Sequence, residues 1–570
     1  MKYKLRNENT NQDIIKLICD NRGVEFEKLV DFLNPKENAI MNPLVYANME
    51  KVCNIILDAV NTNKTIGIVI DADADGYCSS AILINYLWNT FGFGNFVFFM
   101  HSEKKHGLTP EIMEKIDKNP VDLVILPDAS SSDYNQHKTL DDKGIKVVVI
   151  DHHEAEKESE YATVVNNQLN FFGNKTLSGG GMVIKVVEMI DKLTGNDNAK
   201  NYYDLASVAL VGDSMLMNHP ETRYYVQEGL KNINNPLLME LYKGDETRNF
   251  KSISFDVAPT INAFIRIGTD IERQDLFRAL IGHVDSREIS IRGQGTFELS
   301  LPEYIGRLAS RIKSRQTTAI KKALESENTV IHIDGLPIAI CILDEATPKS
   351  LTGLIGNRLV ELYNKPAIVL KPAGVNYSGS GRSTDTFEDF RKYIVNSNRF
   401  TFAQGHAGAF GCSIKWDNLV AFMKEIKGTT LGEEADVMLV DKAYENIVSA
   451  YEIMAVDELN NHWARGFDKP KFYIKLTGLS GGEVDIIGQK RDTIRIKHNH
   501  ITYIKFKCSP EEIEEVKNKN IHEVEIIGSF AVNEYMDRMY PQVLIDKLEV
   551  RGTDVEVQPS IGFGFVTTNW

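Results

Sequence analysis

Six cysteines stand in a chain of 570 residues, and no two of them form a CxxC pair. Scattered at Cys19, Cys53, Cys78, Cys341, Cys412 and Cys508, they exclude a thiolate zinc site and a disulfide framework. A reducing, cytoplasmic setting is the expectation. No run of about 18 apolar residues occurs, so no membrane span is expected. The opening MKYKLRNENTNQDI lacks the apolar stretch of a secretory leader. Positive charge is short as well: 64 Lys and Arg against 79 Asp and Glu leave a formal charge of -15. That balance excludes a wholly basic nucleic-acid binder. It permits a local basic channel, and it suits a site where cations held by carboxylates face phosphates. There is no internal repeat and no low-complexity block. The composition is 43% apolar and 25% charged, as in soluble globular chains, and the length allows three or four domains.

Residues 1–60 read as a helical lead-in, with NPLVYANMEKVCNIILDAV amphipathic at helical spacing. TIGIVI (65–70) is then a continuous apolar run, as expected of a strand buried on both faces. VDLVILPD (121–128) and IKVVVIDHH (145–153) repeat the pattern, with helical stretches between. Such alternation predicts a parallel sheet in an α/β domain. Each run ends in carboxylates or imidazoles, which places the chemistry at the carboxyl ends of strands, where open α/β sheets bind ligands. Residues 301–325 predict one long helix with Ile305, Leu308, Ala309, Ile312, Ile320 and Ala323 as its apolar stripe. A second α/β pattern follows it. Several short strand patterns between about 445 and 555 suggest a small barrel or sandwich, and QPSIGFGFVTTNW reads as a loose tail.

Asp71-Ala-Asp73-Ala-Asp75-Gly76 directly follows the first run. Carboxylates at alternate positions repel one another unless a cation lies between them. Hard oxygen ligands suit Mg2+, Mn2+ or Ca2+. A solvated acidic turn is the bland alternative, and a calcium loop is disfavoured because Ile82 stands where an EF-hand needs glutamate. Asp128 ends the second run and Asp151-His152-His153 the third. Asp213 lies in the apolar SVALVGDSMLM, where a carboxylate without a partner is costly; a helix-end cap is the alternative there. Parallel strands bring such ends together, so that five or six ligands converge. Mixed Asp and His ligation leans toward Mn2+. Two ions close together can activate a water and clamp a phosphodiester.

In combination these motifs resemble the DHH phosphoesterase superfamily, and within it the RecJ-type single-strand DNA exonucleases. Residues 71–76 are similar to the DxDxDG motif, Asp128 to the next acidic motif, and residues 151–153 to the tripeptide that names the superfamily. Asp213 matches the aspartate that follows. PTINAFIRIG (259–268) resembles the RecJ PxINAxxRxG tract, and GSGRS (379–383) with QGHAGAFG (404–411) resembles a DHHA1 domain. NEYMDRMYPQVLIDKLEV (533–550) resembles the closing strands of an oligonucleotide-binding (OB) fold. The likeness covers about residues 20–555. It implies two α/β domains, DHH over 61–300 and DHHA1-like over 326–430, joined by the helix 301–325. An OB-like barrel over 445–555 and a tail over 556–570 complete the implied order.

The resemblance further implies two Mn2+ ions, with Mg2+ as the substitute. Asp73 and Asp128 would hold one, and Asp75, Asp128, His152 and Asp213 the other. Asp71 and Asp151 would lie close by, and His153 would meet the scissile phosphate or the attacking water. Arg266, Ser380, Arg382 and His406 are implied to grip phosphates, with Gly405, Gly408 and Gly411 letting backbone amides approach. The implied activity is 5′-to-3′ degradation of single-stranded DNA to mononucleotides, in repair, recombination or replication. A monomer is implied, with a single-strand-binding protein or a helicase as candidate partner. Departures from the family pattern bear on end recognition: Gln404 replaces the first of a doubled glycine. In HSEKKHGLT (101–109), His101 replaces an arginine and Lys105-His106-Gly107 replaces GYG.

Outside the metal motifs, Arg307, Arg311 and Arg315 recur every four residues on the long helix. Like charges at that spacing disfavour a helix slightly, and a polyanion along the face would offset this; a solvated face is the alternative. Tyr503, Lys505, Phe506 and Lys507, and then Tyr535, Arg538 and Tyr540, interleave rings with cations as single-strand binders do. Strand alternation alone also places some such rings in a core. Other DHH enzymes cut pyrophosphate, short oligoribonucleotides or cyclic dinucleotides with the same metal motifs. The β-rich region and PTINAFIRIG favour a long single strand instead. A catalytically dead DNA-binding scaffold is disfavoured because every expected ligand is present.

Overall fold

Continuous β-branched runs have no polar face to turn outward, so they are stable only between two packed layers. The computed structural model places IGIVI in such a strand, β1 (Ile66–Ile70), buried at every position. It describes residues 1–554 apart from 292–294, 385, 386, 388, 432–436, 481 and 537; the tail read at 556–570 lies outside the described residues. Two units are present. One comprises Val30–Ala435 with Asn461–Phe467, the other Met1–Leu29, Asp436–Asn460 and Asp468–Trp570. Among the described residues, no helix is long and apolar enough to cross a membrane.

In the first unit β1 joins β2 (Phe96–Met100), β3 (Leu123–Pro127), β4 (Lys146–Asp151) and β5 (Thr163–Asn166) in one sheet, ordered β2-β1-β3-β4-β5. Every pairing is parallel. The two edge strands, β2 (FVFFM) and β5 (TVVN), lie outside the three runs read from the sequence. Helices α1 (Ala74–Phe91), α2 (Gly179–Thr194) and α3 (Tyr203–Gly212) share one core on one face of the sheet. A second core, with Phe99, Leu126 and Val149, lines the other face. The chain leaves β1 for β2 on one side and adds β3 on the other, so the carboxyl ends of β1 and β3 flank a crevice.

Helix α4 (Ala258–Ile267) carries the INAFIRI tract, and α5 (Leu301–Glu325) is one unbroken helix with the predicted bounds. A second sheet follows, from β6 (Val330–His332), β7 (Ala339–Ile342), β8 (Ala367–Ala373), β9 (Asn376–Arg382), β10 (Phe400–His406) and β11 (Ala409–Lys415). Its order is β10-β11-β9-β8-β7-β6. Helix α6 (Thr352–Tyr363) supplies the crossover between β7 and β8, which pair in parallel.

The other unit has a seven-stranded sheet built on two 17-residue strands, β17 (Lys519–Tyr535) and β18 (Arg538–Asp554). With β12 (Lys442–Glu445), β13 (Phe472–Thr477), β14 (Val484–Ile487), β15 (Thr493–His498) and β16 (Ile501–Lys505) the order is β12-β13-β17-β18-β16-β15-β14. Among the described residues no ladder joins β12 to β14, so the sheet is not closed by pairing. Register shifts at Ile521/Glu523 and Ile527/Gly528 mark bulges in the long pair, and bulges bend a strand. Tyr503 is fully buried, which makes it a core ring rather than a stacking surface, whereas Phe506, Tyr535 and Tyr540 are exposed.

Tyr3–Leu5 forms a strand within the stretch read as helical, paired in parallel with Met438–Val440. Tyr3 stacks on Tyr473 with ring centroids 4.0 Å apart. Helix Ile14–Asn21 is tied to the same unit by Arg22, whose Nη1 and Nη2 reach Asp441 Oδ1 and Oδ2 at 2.6 and 3.2 Å. Burial pushes the Asp441 carboxyl up, but its hydrogen bond and charge pairing with Arg22 outweigh that and hold it below the ordinary value. A depressed carboxyl contributes stability above the unfolded pKa and loses it as pH falls through the folded one. Asp441→Ala is therefore expected to destabilise this unit by about 3 kcal/mol at neutral pH, with the deficit shrinking below about pH 4. Urea unfolding followed by far-ultraviolet circular dichroism at both pH values measures it. An equal deficit at both would remove the ion pair as the cause.

Candidate metal centre

Between β1 and α1 the chain turns within the DADADG tract. Asp73 is the N-cap of α1, its Oδ1 accepting from Gly76 N at 3.1 Å. Glycine is required at 76, because a Cβ there would stand 2.4 Å from Asp71 Cβ. Asp71 is buried, with Oδ2 2.5 Å from His106 Nδ1 and Oδ1 accepting from Gly107 N at 3.2 Å. Asp75 is clasped from α2: Gly179 N and Gly180 N donate to it at 2.9 and 2.8 Å, and the Ser178 hydroxyl at 3.1 Å. Those amides have no partner within their own helix, and a helix N-terminus favours negative charge. A Cβ at Gly179 would come within 2.3 Å of Asp128 Cβ, so only glycine lets this helix end approach so closely.

Asp128 follows β3 with φ at 72°, a conformation disfavoured for a non-glycine residue. His152, at the end of β4, places Nε2 3.1 Å from Asp128 Oδ1, 3.5 Å from Asp213 Oδ2 and 3.7 Å from Asp75 Oδ2. These approaches lack hydrogen-bond alignment: Asp128 Oδ1, His152 Nε2 and Asp213 Oδ2 are all buried without a hydrogen-bond partner. Nearly all buried polar atoms in folded proteins have one. Orphaned atoms that face one another, mostly hard oxygens with one imidazole nitrogen, fit a divalent cation. Three donor groups lie within 4.8 Å internally: Asp75, His152 and Asp213; Asp128, His152 and His153; and Asp71, Asp73 and His106.

The electrostatics agree with that fit. Burial, reinforced by the charge of Asp73, pushes Asp75 up to about 6 despite its amide clasp. Burial and neighbouring carboxylates push Asp128 and Asp213 well above the usual range. Burial and the nearby His153 push His152 down to about 3. Burial also disfavours a charged His153, but its hydrogen bond to Asp151 at 2.8 Å and the charge of that carboxylate prevail and raise it to about 10. Asp151 itself is saturated: Oδ1 accepts from His152 N and His153 N at 2.7 and 3.1 Å as well, and Oδ2 from Ser131 N at 3.0 Å. It holds the His153 imidazole and the backbone of His152 rather than joining the orphaned donors.

The predicted phosphate grips converge only in part. Burial and the adjacent Arg266 pull Arg382 down to about 10, so these two cations share one neighbourhood. Loss of solvent also lowers Lys104, with Arg266 and Arg382 assisting and Asp73 opposing. Ser380 shares a hydroxyl contact of 2.9 Å with Thr352. In the second sheet Arg382 and His406 lie opposite Ala409 on either side of β11, and Gly405 adopts φ of 128°. Arg307 and Arg311 are exposed on α5. Arg315, in contrast, is engaged by Glu272 Oε1 at 2.7 Å and Ile267 O at 3.1 Å, so the three arginines are not one free row.

Comparison with known proteins bears on this geometry. Residues 65–212 match the model of the DHH family, N-terminal domain. A Bacillus subtilis (strain 168) protein of SPbeta prophage origin, YorK, provisionally named a single-strand DNA-specific exonuclease, is 33% identical over 96% of this chain and 98% of its own. The single-stranded-DNA-specific exonuclease RecJ of the same organism is 23% identical over 90% of this chain and 65% of its own. RecJ of Thermus thermophilus, solved with Mn2+, superposes with a TM-score of 0.71 at 17% identity, covering 95% of this chain and 76% of that one. The chain belongs to the RecJ-like DHH exonuclease family.

Within this RecJ-like chain, His106 is a site residue that the ligand expectation left out. Its only sequence signal was the departure at 105–107, where an imidazole enters a glycine-tyrosine-glycine tract beside the acidic turn. Two outcomes are expected of the metal-stripped protein. Asp128→Asn removes one of several crowded carboxylates and should raise Tm in chelator by about 1 °C, the shift for roughly 1 kcal/mol in a unit of this size. It should also forfeit the concentration-dependent rise that Mn2+ confers on the parent. A lower Tm in chelator would contradict like-charge crowding. A carboxyl raised on folding favours the native state most when protonated. Wild-type stability in chelator should therefore fall as pH rises from about 4 through about 6, the value of Asp75. Saturating Mn2+ should flatten that slope, and scanning calorimetry reads both arms.

Proposed function

We propose that this RecJ-like protein is a divalent-metal-dependent exonuclease that degrades single-stranded DNA from the 5′ end to mononucleotides, serving DNA repair, recombination or replication. The observation that carries this reading is the set of buried, unpartnered donors on Asp128, His152 and Asp213, next to Asp73 and Asp75. Asp73 and Asp128 would hold one Mn2+, with Asp71 and His106 adjoining. Asp75, Asp128, His152 and Asp213 would hold a second, with Mg2+ as the alternative ion. Bound there, the ions supply charge neutralisation at the phosphodiester and a water of lowered pKa.

The chain's own groups account for the remaining roles. Gly179 and Gly180 fix Asp75 in one orientation. Asp151 occupies Nδ1 of His153, whose ring is half exposed and, with its pKa raised, positively charged at neutral pH. Nε2 of that imidazolium is then a proton donor for a phosphate oxygen. Arg266 and Arg382, with Ser380, Gly405 and His406, form the cationic and backbone surface suited to the strand's phosphates. The exposed rings Tyr535 and Tyr540 with Arg538 suit base stacking by the β-rich unit, in the role the OB-like reading gives it. The 5′ polarity rests on the likeness to RecJ, as do a monomeric state and a single-strand-binding protein or helicase as partner, whereas a cytoplasmic setting rests on the scattered cysteines.

Single-stranded DNA labelled at the 5′ end, and separately at the 3′ end, tests this in Mn2+. The 5′ label should be released at once as a mononucleotide while the 3′-labelled strand shortens progressively. Chelator should abolish both, and Asp73→Ala should slow them by about 100-fold or more. Turnover of dinucleotides or pyrophosphate with long strands left intact would overturn the proposal.

A further inference from the structure

The segment Asn461–Phe467 belongs with the catalytic unit, although the chain on either side of it belongs to the other. It is fastened by Arg223, one of the largest fully buried side chains. The Arg223 guanidinium lies over the rings of Phe32, Phe250 and Phe467 at 4.5, 5.2 and 5.4 Å. It donates to Met217 O at 3.2 Å and to His462 O at 3.1 Å. Trp463 stacks on Phe467 with centroids 5.0 Å apart. Between these anchors Met217 N donates to Arg465 O at 2.7 Å, and Gly466 turns at φ of 85° against Leu216.

The clamp leaves the Arg465 side chain outward. Arg465 is exposed, and its Nη1 donates to the carbonyl of Ser214, the residue after Asp213. A guanidinium has five N–H groups, so others remain open beside the metal-centre carboxylate. The side chain therefore stands beside Asp213, whose Oδ2 is one of the orphaned donors. A planar, permanently charged fork so placed suits a phosphate bidentately.

We propose that Arg465 is a phosphate contact for the single strand at the catalytic centre, supplied by the clamped segment 461–467. This rests on the single-strand reading above, and the test separates the two. Binding of a fluorescein-labelled oligodeoxythymidine to the full chain is followed by anisotropy in chelator at several salt concentrations, and cleavage of the same strand is followed in Mn2+. Arg465→Ala should bind about tenfold more weakly at low salt, and its plot of log affinity against log salt should be shallower by about 0.7. Arg465→Lys should keep the wild-type slope while binding more weakly, since it retains the charge and loses the fork. An unchanged slope for Arg465→Ala, at an unchanged Tm, overturns the assignment. A wild type that binds the strand but does not cut it overturns the exonuclease reading alone, and the slope still decides Arg465. A wild type that binds no single strand overturns both.

Discussion

Like charges forced together at the carboxyl ends of parallel strands are the constraint from which the rest of the catalytic unit follows. The sheet order puts the ends of β1, β3 and β4 side by side, and each end carries an aspartate. In a buried setting such a group is costly unless amides, imidazoles or a cation balance it. The α2 N-terminus is brought against Asp75 and Asp128 for that purpose, and the glycines at 179 and 180 are the steric condition for it. The left-handed backbone at Asp128 belongs to the same compromise, because it turns the chain at once after β3. A local conformational cost of order 1–3 kcal/mol persists only where the surroundings over-determine it. Here, two apolar cores on either face of the sheet do so.

The same crowding explains why chemically identical residues differ in behaviour. Asp151 is surrounded by donors and remains ionised, Asp75 is partly compensated, and Asp128 keeps an oxygen with no partner at all. Position relative to N–H groups, and not residue type, separates an orienting carboxylate from one available to a cation. The two histidines of the DHH tripeptide diverge for a related reason. Both follow the strand, and their rings lie only 4.4 Å apart, yet their ring nitrogens meet different groups. His153 turns back onto Asp151 and gains a proton, while His152 points among the orphaned carboxylates and stays neutral. Asp151 thus makes a cation of one imidazole, while burial keeps its neighbour a lone-pair donor.

Much of this was legible in the chain itself. Three continuous β-branched runs, each closed by ligand-type residues, were enough to read a parallel sheet and a metal site, because burial on both faces leaves no other use for such runs. The unbroken period of 301–325 gave its helix, and the resemblance to RecJ named Asp75, Asp128, His152 and Asp213, which the structure brings near one another. Missing from that reading were features whose signal is not local. The edge strand β5 has only four residues, Tyr3–Leu5 is a strand only because Met438–Val440 lies beside it, and Tyr503 is buried by its sheet rather than by its own polarity.

What the sequence by itself determined is the inventory and its order: which strands are buried, where each ends, and that carboxylates and imidazoles stand at those ends. Tertiary structure alone decided which of them share a space. His106 meets Asp71 across 35 positions of chain, Arg315 is drawn away to Glu272 across 43, and Arg465 reaches Ser214 across 251. Periodicity and local propensity carry information over a few turns or a few strand residues. Contacts at such separations depend on sheet order and on which faces must be covered, and these are set by the packing of the whole unit rather than by any one segment.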